Sequence, residues 1–197
     1  TGAGNLAIGY SAMDSLTTGD SNIAIGANAM GDTDTSTAVD SDYNIIIGHN
    51  AGSGDWQSKC VNNVAIGSYS MNGSMDDADN NTAIGYLALN ALTTGDQNVA
   101  IGASAGADIT SGSQNVAVGF MAGFTLSTGQ DNIAIGNKAL ETHTTGSRNI
   151  AIGSGAMDDT NHHADVLASI DNIFMGKNAG GGAWETNDCN YNVGIGN

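Results

Sequence analysis

Asn132-Ile133-Ala134-Ile135-Gly136 is one of eleven versions of a single phrase: Asn, an aliphatic residue, a residue that is usually Ala, another aliphatic, then Gly. The anchors are Asn5, Asn22, Asn44, Asn63, Asn81, Asn98, Asn115, Asn132, Asn149, Asn172 and Asn192. Successive anchors lie 17 to 23 residues apart, and neither the Asn nor the closing Gly ever changes. Self-similarity at such a period means stacked supersecondary units, each burying its apolar surface against its neighbours.

With the anchor Asn numbered place 0, places 1 to 3 show the period-2 alternation of a strand. Places 1 and 3, mostly Ile and Val, share one face; Ala at place 2 and Gly at place 4 share the other. Gly inside a strand marks a bend or a close approach by another backbone. The small face therefore reads as a packing surface and the aliphatic rows read as buried, while which of the two meets a partner chain stays open. Place 7 is almost always Ala, place 8 is Met, Leu or Gly, and place 11 is Leu or Ile in the regular coils, with His143 the departure. A corner such as Thr144-Thr145-Gly146 follows, its Gly permitting the positive φ of a turn. Two or three short strands per coil are expected.

Strands stacked every ~4.8 Å make an all-β fold, a parallel β-solenoid of about ten coils and about 48 Å, running as one array over 1–197. The eleven Asn are expected to form a side-chain amide ladder along it. Each coil buries few and small side chains for the backbone it orders, which favours sharing burial with other chains. The chain starts inside one repeat and stops inside another, as a segment of a longer array would. Its formal charge is −16, which excludes nucleic acid and anionic membrane surfaces as partners, and no apolar run approaches the roughly 20 residues of a membrane helix.

Asn98-Val-Ala-Ile-Gly-Ala-Ser-Ala105 resembles the repeat in the heads of trimeric autotransporter adhesins. The longer unit with the Thr-Thr-Gly corner, Asn81 to Gln97, is similar to repeats of phage tail-fibre proteins and related bacterial surface proteins. The resemblance covers essentially the whole chain. It implies a homotrimeric β-roll, left-handed as in the adhesin heads, on an extracellular fibre: a virion tail fibre or a cell-surface filament. Such a fibre attaches to a host-surface glycan or protein receptor.

Function should reside where the phrase is spoiled. Insertions fall after place 8, and places 0 to 8 hold no Asp or Glu in any coil, so all 20 acids lie beyond the strands. Long coils cluster at 22–80 and 149–191, seven coils apart. Within them Asn50-Ala-Gly-Ser-Gly-Asp-Trp56 leads to Cys60, and Asn178-Ala-Gly-Gly-Gly-Ala-Trp184 leads to Cys189. The same two coils carry Ile46 and Phe174 at place 2, where Ala is the rule. Trp56 and Trp184 are candidates for stacking on a sugar or receptor, or for plugging an enlarged coil. Cys60 and Cys189 stand seven coils apart, too far for an intrachain bridge, so they are buried free thiols or links between fibres.

A divalent cation such as calcium has two candidate sites, Asp32 with Asp34, and Asp158, Asp159, His162 and His163. The first lacks the Gly and the closing Glu of a calcium loop, and adjacent His side chains seldom converge on one ion. No other cofactor is indicated. No Ser, His and Asp set, activated Cys or phosphate loop offers catalysis a foothold, so a non-enzymatic role is expected. The rival to a fibre is ice binding through Thr rows such as Thr93-Thr94 and Thr144-Thr145.

Overall fold

A computed structural model describes residues 2–16, 18–31, 40–158, 168–181 and 190–197. Each phrase forms one three-residue strand. In chain order these are β1 (Leu6–Ile8), β2 (Ile23–Ile25), β3 (Ile45–Ile47), β4 (Val64–Ile66), β5 (Thr82–Ile84) and β6 (Val99–Ile101). They continue as β7 (Val116–Val118), β8 (Ile133–Ile135), β9 (Ile150–Ile152), β10 (Ile173–Met175) and β11 (Val193–Ile195). All eleven lie in one parallel sheet in sequence order, a β-solenoid. Like places pair with like: Ala83 with Ala100, Ala100 with Ala117, Ala117 with Ala134. Register survives the 22-residue coil too, where Ile23 still pairs with Ile45. Insertions are absorbed entirely outside the strand.

The expectation of two or three strands per coil is corrected to one among the described residues. The reason is backbone geometry at places 6 and 8, which sit in the left-handed region: Leu87 has φ 57° and Leu89 φ 47°. Left-handed residues break a pleat, and bulky ones occupy that region only when their surroundings impose it. Here the neighbouring coils do so by hydrogen bonding. The Leu87 N–H donates to the Ser68 carbonyl of the preceding coil at 3.1 Å, and the Leu89 N–H donates to Ala105 of the following coil at 3.1 Å. The turn side is thus tied in both stacking directions, as a second sheet would be.

The two strand faces lie the opposite way from the sequence-based expectation. The Ala face points into the coil: Ala83, Ala100, Ala117 and Ala134 are fully buried. The aliphatic rows point outward and stay part exposed, with Ile66, Ile84, Ile101 and Ile135 between 36% and 39% accessible mid-array. A coil this narrow has room for only a methyl from the strand, because the opposite wall already contributes Leu, Met or Ile at places 8 and 11, such as Leu89, Leu92 and Ile109. Gly at place 4 does meet another backbone, that of the next coil. A Cβ on Gly136, whose φ is 135°, would sit 2.5 Å from the Gly153 carbonyl oxygen.

Coils three and ten fill the same lumen in reverse. Ile46 is fully buried where Ala is usual, and place 8 below it is Gly52, where a Cβ would meet Ile46 Cγ2 at 3.1 Å and Trp56 Cζ2 at 3.2 Å. In coil ten a Cβ on Gly180 would meet the Phe174 ring at 2.6 Å. A large residue at place 2 therefore goes with glycine at place 8. Ile46→Ala alone should cost about 2–5 kcal/mol by leaving a cavity, and Gly52→Met alone about 1–3 kcal/mol by overpacking. The double variant rebuilds the usual Ala-over-Met arrangement, so urea unfolding should show it losing clearly less than the sum.

Candidate functional site

The anchor asparagines form one buried column, with Asn22 through Asn172 fully enclosed. Each Oδ1 accepts the backbone N–H of the next anchor, and all but Asn44 are seen to accept its Nδ2 as well: Asn115 Oδ1 takes the Asn132 backbone N–H at 3.0 Å and its Nδ2 at 3.0 Å. From Asn5 to Asn149 each Nδ2 also reaches across its own coil to the carbonyl three residues before the following anchor, while Asn172 Nδ2 donates to Ile170. Asn115 Nδ2 donates there to Gly129 at 2.8 Å, and Asn98 Nδ2 to Gly112 at 2.9 Å. The column joins coils and closes each coil on itself. Every arm of the amide is engaged within the chain, which leaves none to offer a ligand.

Cys60 stands at one of these closure positions: its carbonyl accepts from Asn44 Nδ2 at 2.8 Å. In the regular coils that position is Gly; in the long coils where it is described it is Ser41, Cys60, Ala78 or Ser169, all buried. The thiol is free and fully enclosed, and burial pushes it up to about 12, with Asp79 and Asp77 adding to the rise. A thiol so held is protonated and inert, and it is not placed to link one fibre to another. Trp56 is 1% exposed, a plug of coil three packed beside Ile46 and Gly52, with no ring face left for a sugar.

Trp184, Cys189, Asp32, Asp34, Asp159, His162 and His163 lie outside the described residues. Asp158 is described: its carbonyl accepts the Thr142 hydroxyl at 2.9 Å, and its carboxylate faces Gly155 and Gly181. Among the described residues no three His, Cys, Asp or Glu side chains are grouped to hold a metal ion, and no helix is long and apolar enough to cross a membrane.

The residue two before each anchor makes a second column that sequence reasoning missed. Asp79 Oδ1 accepts the Val61 N–H at 2.7 Å, Asp96 Oδ1 the Asp79 N–H at 2.8 Å, and Ser113 Oγ the Asp96 N–H at 3.0 Å. Ser147 does the same for Gln130 and Asn190 for Ile170. The signal was available, since that position holds Asp, Ser or Asn in most coils. Part of the acidity is therefore structural. Partial burial, with Asp77 and Asp96 nearby, raises the Asp79 carboxyl above its ordinary value. Two of the four cations are tied to this edge: Lys59 to Asp42 at 3.3 Å, and Arg148 to Asp171 through Nε at 2.7 Å. That pairing lowers the Asp171 carboxyl below its usual range.

The remaining feature is the outer sheet face, two parallel columns of places 1 and 3. Leu6, Ile23, Ile45 and Val64 begin one, and Ile8, Ile25, Ile47 and Ile66 the other. It runs the full length of the sheet without a charge, about 48 Å long and about 10 Å wide. No family model matches the chain, and no curated protein or solved structure matches it.

His143 replaces the usual core aliphatic at place 11 and is fully buried, its Nε2 3.1 Å from the Ser169 carbonyl oxygen. Desolvation lowers its pKa from the ordinary 6.5. The unfolded chain takes up that proton while the folded chain resists it, so stability is lost as pH falls below about 6.5. His143→Leu should remove this acid-side loss. The Ser169 carbonyl keeps its bond from Asn149 Nδ2 at 2.8 Å, and urea midpoints measured at pH 7 and pH 5 should fall less between the two values in the variant than in the wild type.

Proposed function

We propose that the chain is a structural segment of an extracellular or virion fibre, joined to two further copies of itself through the outer face of its sheet. The observation that carries this reading is that face: a continuous aliphatic strip on which Ile45, Ile66, Ile84, Ile101 and Ile135 are more than a third exposed. Contiguous apolar surface beyond a few hundred Å² marks an interaction site rather than ordinary surface. Charge selects the same side. Copies bearing −16 each repel one another, and the strands are where no acid stands. The likeness of the repeats to adhesin heads and tail fibres supports three copies. The insertions, carried away from the strands, are the surfaces that would reach a host glycan or protein receptor.

Ice binding draws less support. The flat face is aliphatic, and two of the corner hydroxyls are spent on neighbouring coils, Thr93 Oγ1 donating to the Thr110 carbonyl at 2.9 Å and Thr110 Oγ1 to Ser127 at 3.0 Å. A thermal-hysteresis measurement distinguishes the two. Light scattering on the purified chain should return three chain masses. Ile101→Lys, a charge placed mid-face, should dissociate the assembly. A folded particle of one chain mass overturns the fibre reading, and an Ile101→Lys variant of unchanged mass overturns the choice of face.

A further inference from the structure

We propose that Thr82 sets the axial register in which copies of this chain meet, an inference that rests on the assembly reading above. A face built from identical coils has no inherent register. Sliding one copy along another by one coil, about 4.8 Å, lays aliphatic on aliphatic again and forfeits contact only at the ends. In sequence the insertions and acids all follow place 8, so the strands that make up the face carry none of that variation. Register has to be encoded on the face itself.

Across both columns Thr82 is the single residue with a polar side chain. It stacks between Val64 and Val99, and the alternation that buries Ala83 turns Thr82 outward beside the exposed Ile84. Its backbone N–H is committed to the Asn98 carbonyl at 2.8 Å, and its hydroxyl makes no hydrogen bond among the described residues. The face's other exceptions, such as Val118 and Met175, change bulk without adding polarity, and aliphatic neighbours can repack around them. A hydroxyl is different. Slipped, it is stripped of water against Val or Ile and finds no acceptor; aligned, the three hydroxyls lie at one level and can donate to one another in a ring. A lone polar residue in an apolar seam specifies register in just this way in coiled coils, at some expense in stability.

Methyl NMR of the isoleucine-labelled assembly reads the register directly. Around a closed ring of three the axial slips must sum to zero, so any slipped arrangement makes the copies inequivalent. The wild type and Thr82→Ser should give one cross-peak for each isoleucine δ1 methyl. Thr82→Val should keep the trimer mass by light scattering yet split the peaks of Ile84 and Ile101 into several. A single set of peaks in Thr82→Val overturns the register role and leaves the assembly reading standing. A wild-type particle of one chain mass overturns both.

Discussion

The structure depends on a buried amide that bonds in three directions at once. An anchor such as Asn115 receives the backbone N–H and the Nδ2 of Asn132, and itself donates to the Gly129 carbonyl across its own coil. Removing one arm would leave buried groups unsatisfied at about 1–3 kcal/mol each, and the groups left behind belong to two different coils. No other side chain of that size offers two donors and a two-lone-pair acceptor in one plane, which explains why the anchor never varies. The same geometry disciplines the insertions. Whatever a long coil does beyond place 8, it must return a carbonyl three residues before the next anchor, as Ser41 does for Asn22 and Ala78 for Asn63. Extra length is free; the closing position is not.

That requirement decides what could be read from the sequence. Repeat, parallel stacking and in-register pairing follow from the invariant Asn and Gly, since identical environments must recur at a fixed rise. The alternation at Val99-Ala100-Ile101 identifies two faces but carries no label for inside. Ordinary experience puts the large residues in the core, and here a narrow lumen reverses it: Ala100 is enclosed and Ile101 looks out. The left-handed residues were illegible for a different reason. Leu87 and Met121 have no intrinsic preference for positive φ; the coils above and below hold them there. The number of strands per coil is consequently a tertiary property, and local pattern overstates it.

Among the candidate site residues, those that looked most like chemistry proved to be architecture wherever they are described. Trp56 compensates for Gly52, and Cys60 occupies a coil-closing position where only a small side chain fits. Both depart from the consensus because the coil around them departs, and the lumen had to be filled from another place. Several aspartates have the same character: Asp42, Asp79 and Asp96 cap backbone amides of the preceding coil. Acidity counted along the chain gives no hint of this, because a capping carboxylate and a solvated one are the same letter.

Folding and association therefore draw on opposite sides of the same three residues. The middle residue of each strand fills the coil; the two beside it, which the period-2 geometry of a strand sends the other way, form the outer face. A longer or more curved strand would wrap those side chains toward the coil's own corners, whereas three residues leave them on one plane. Stacking then multiplies a small local face into a long continuous one without adding any new kind of contact. The insertions follow place 8 in sequence, and strand register and the Asn column both persist across them, as between Ile23 and Ile45 and between Asn22 and Asn44. One strand of minimal length thus leaves loops free to diverge while the scaffold and its outer face remain constant.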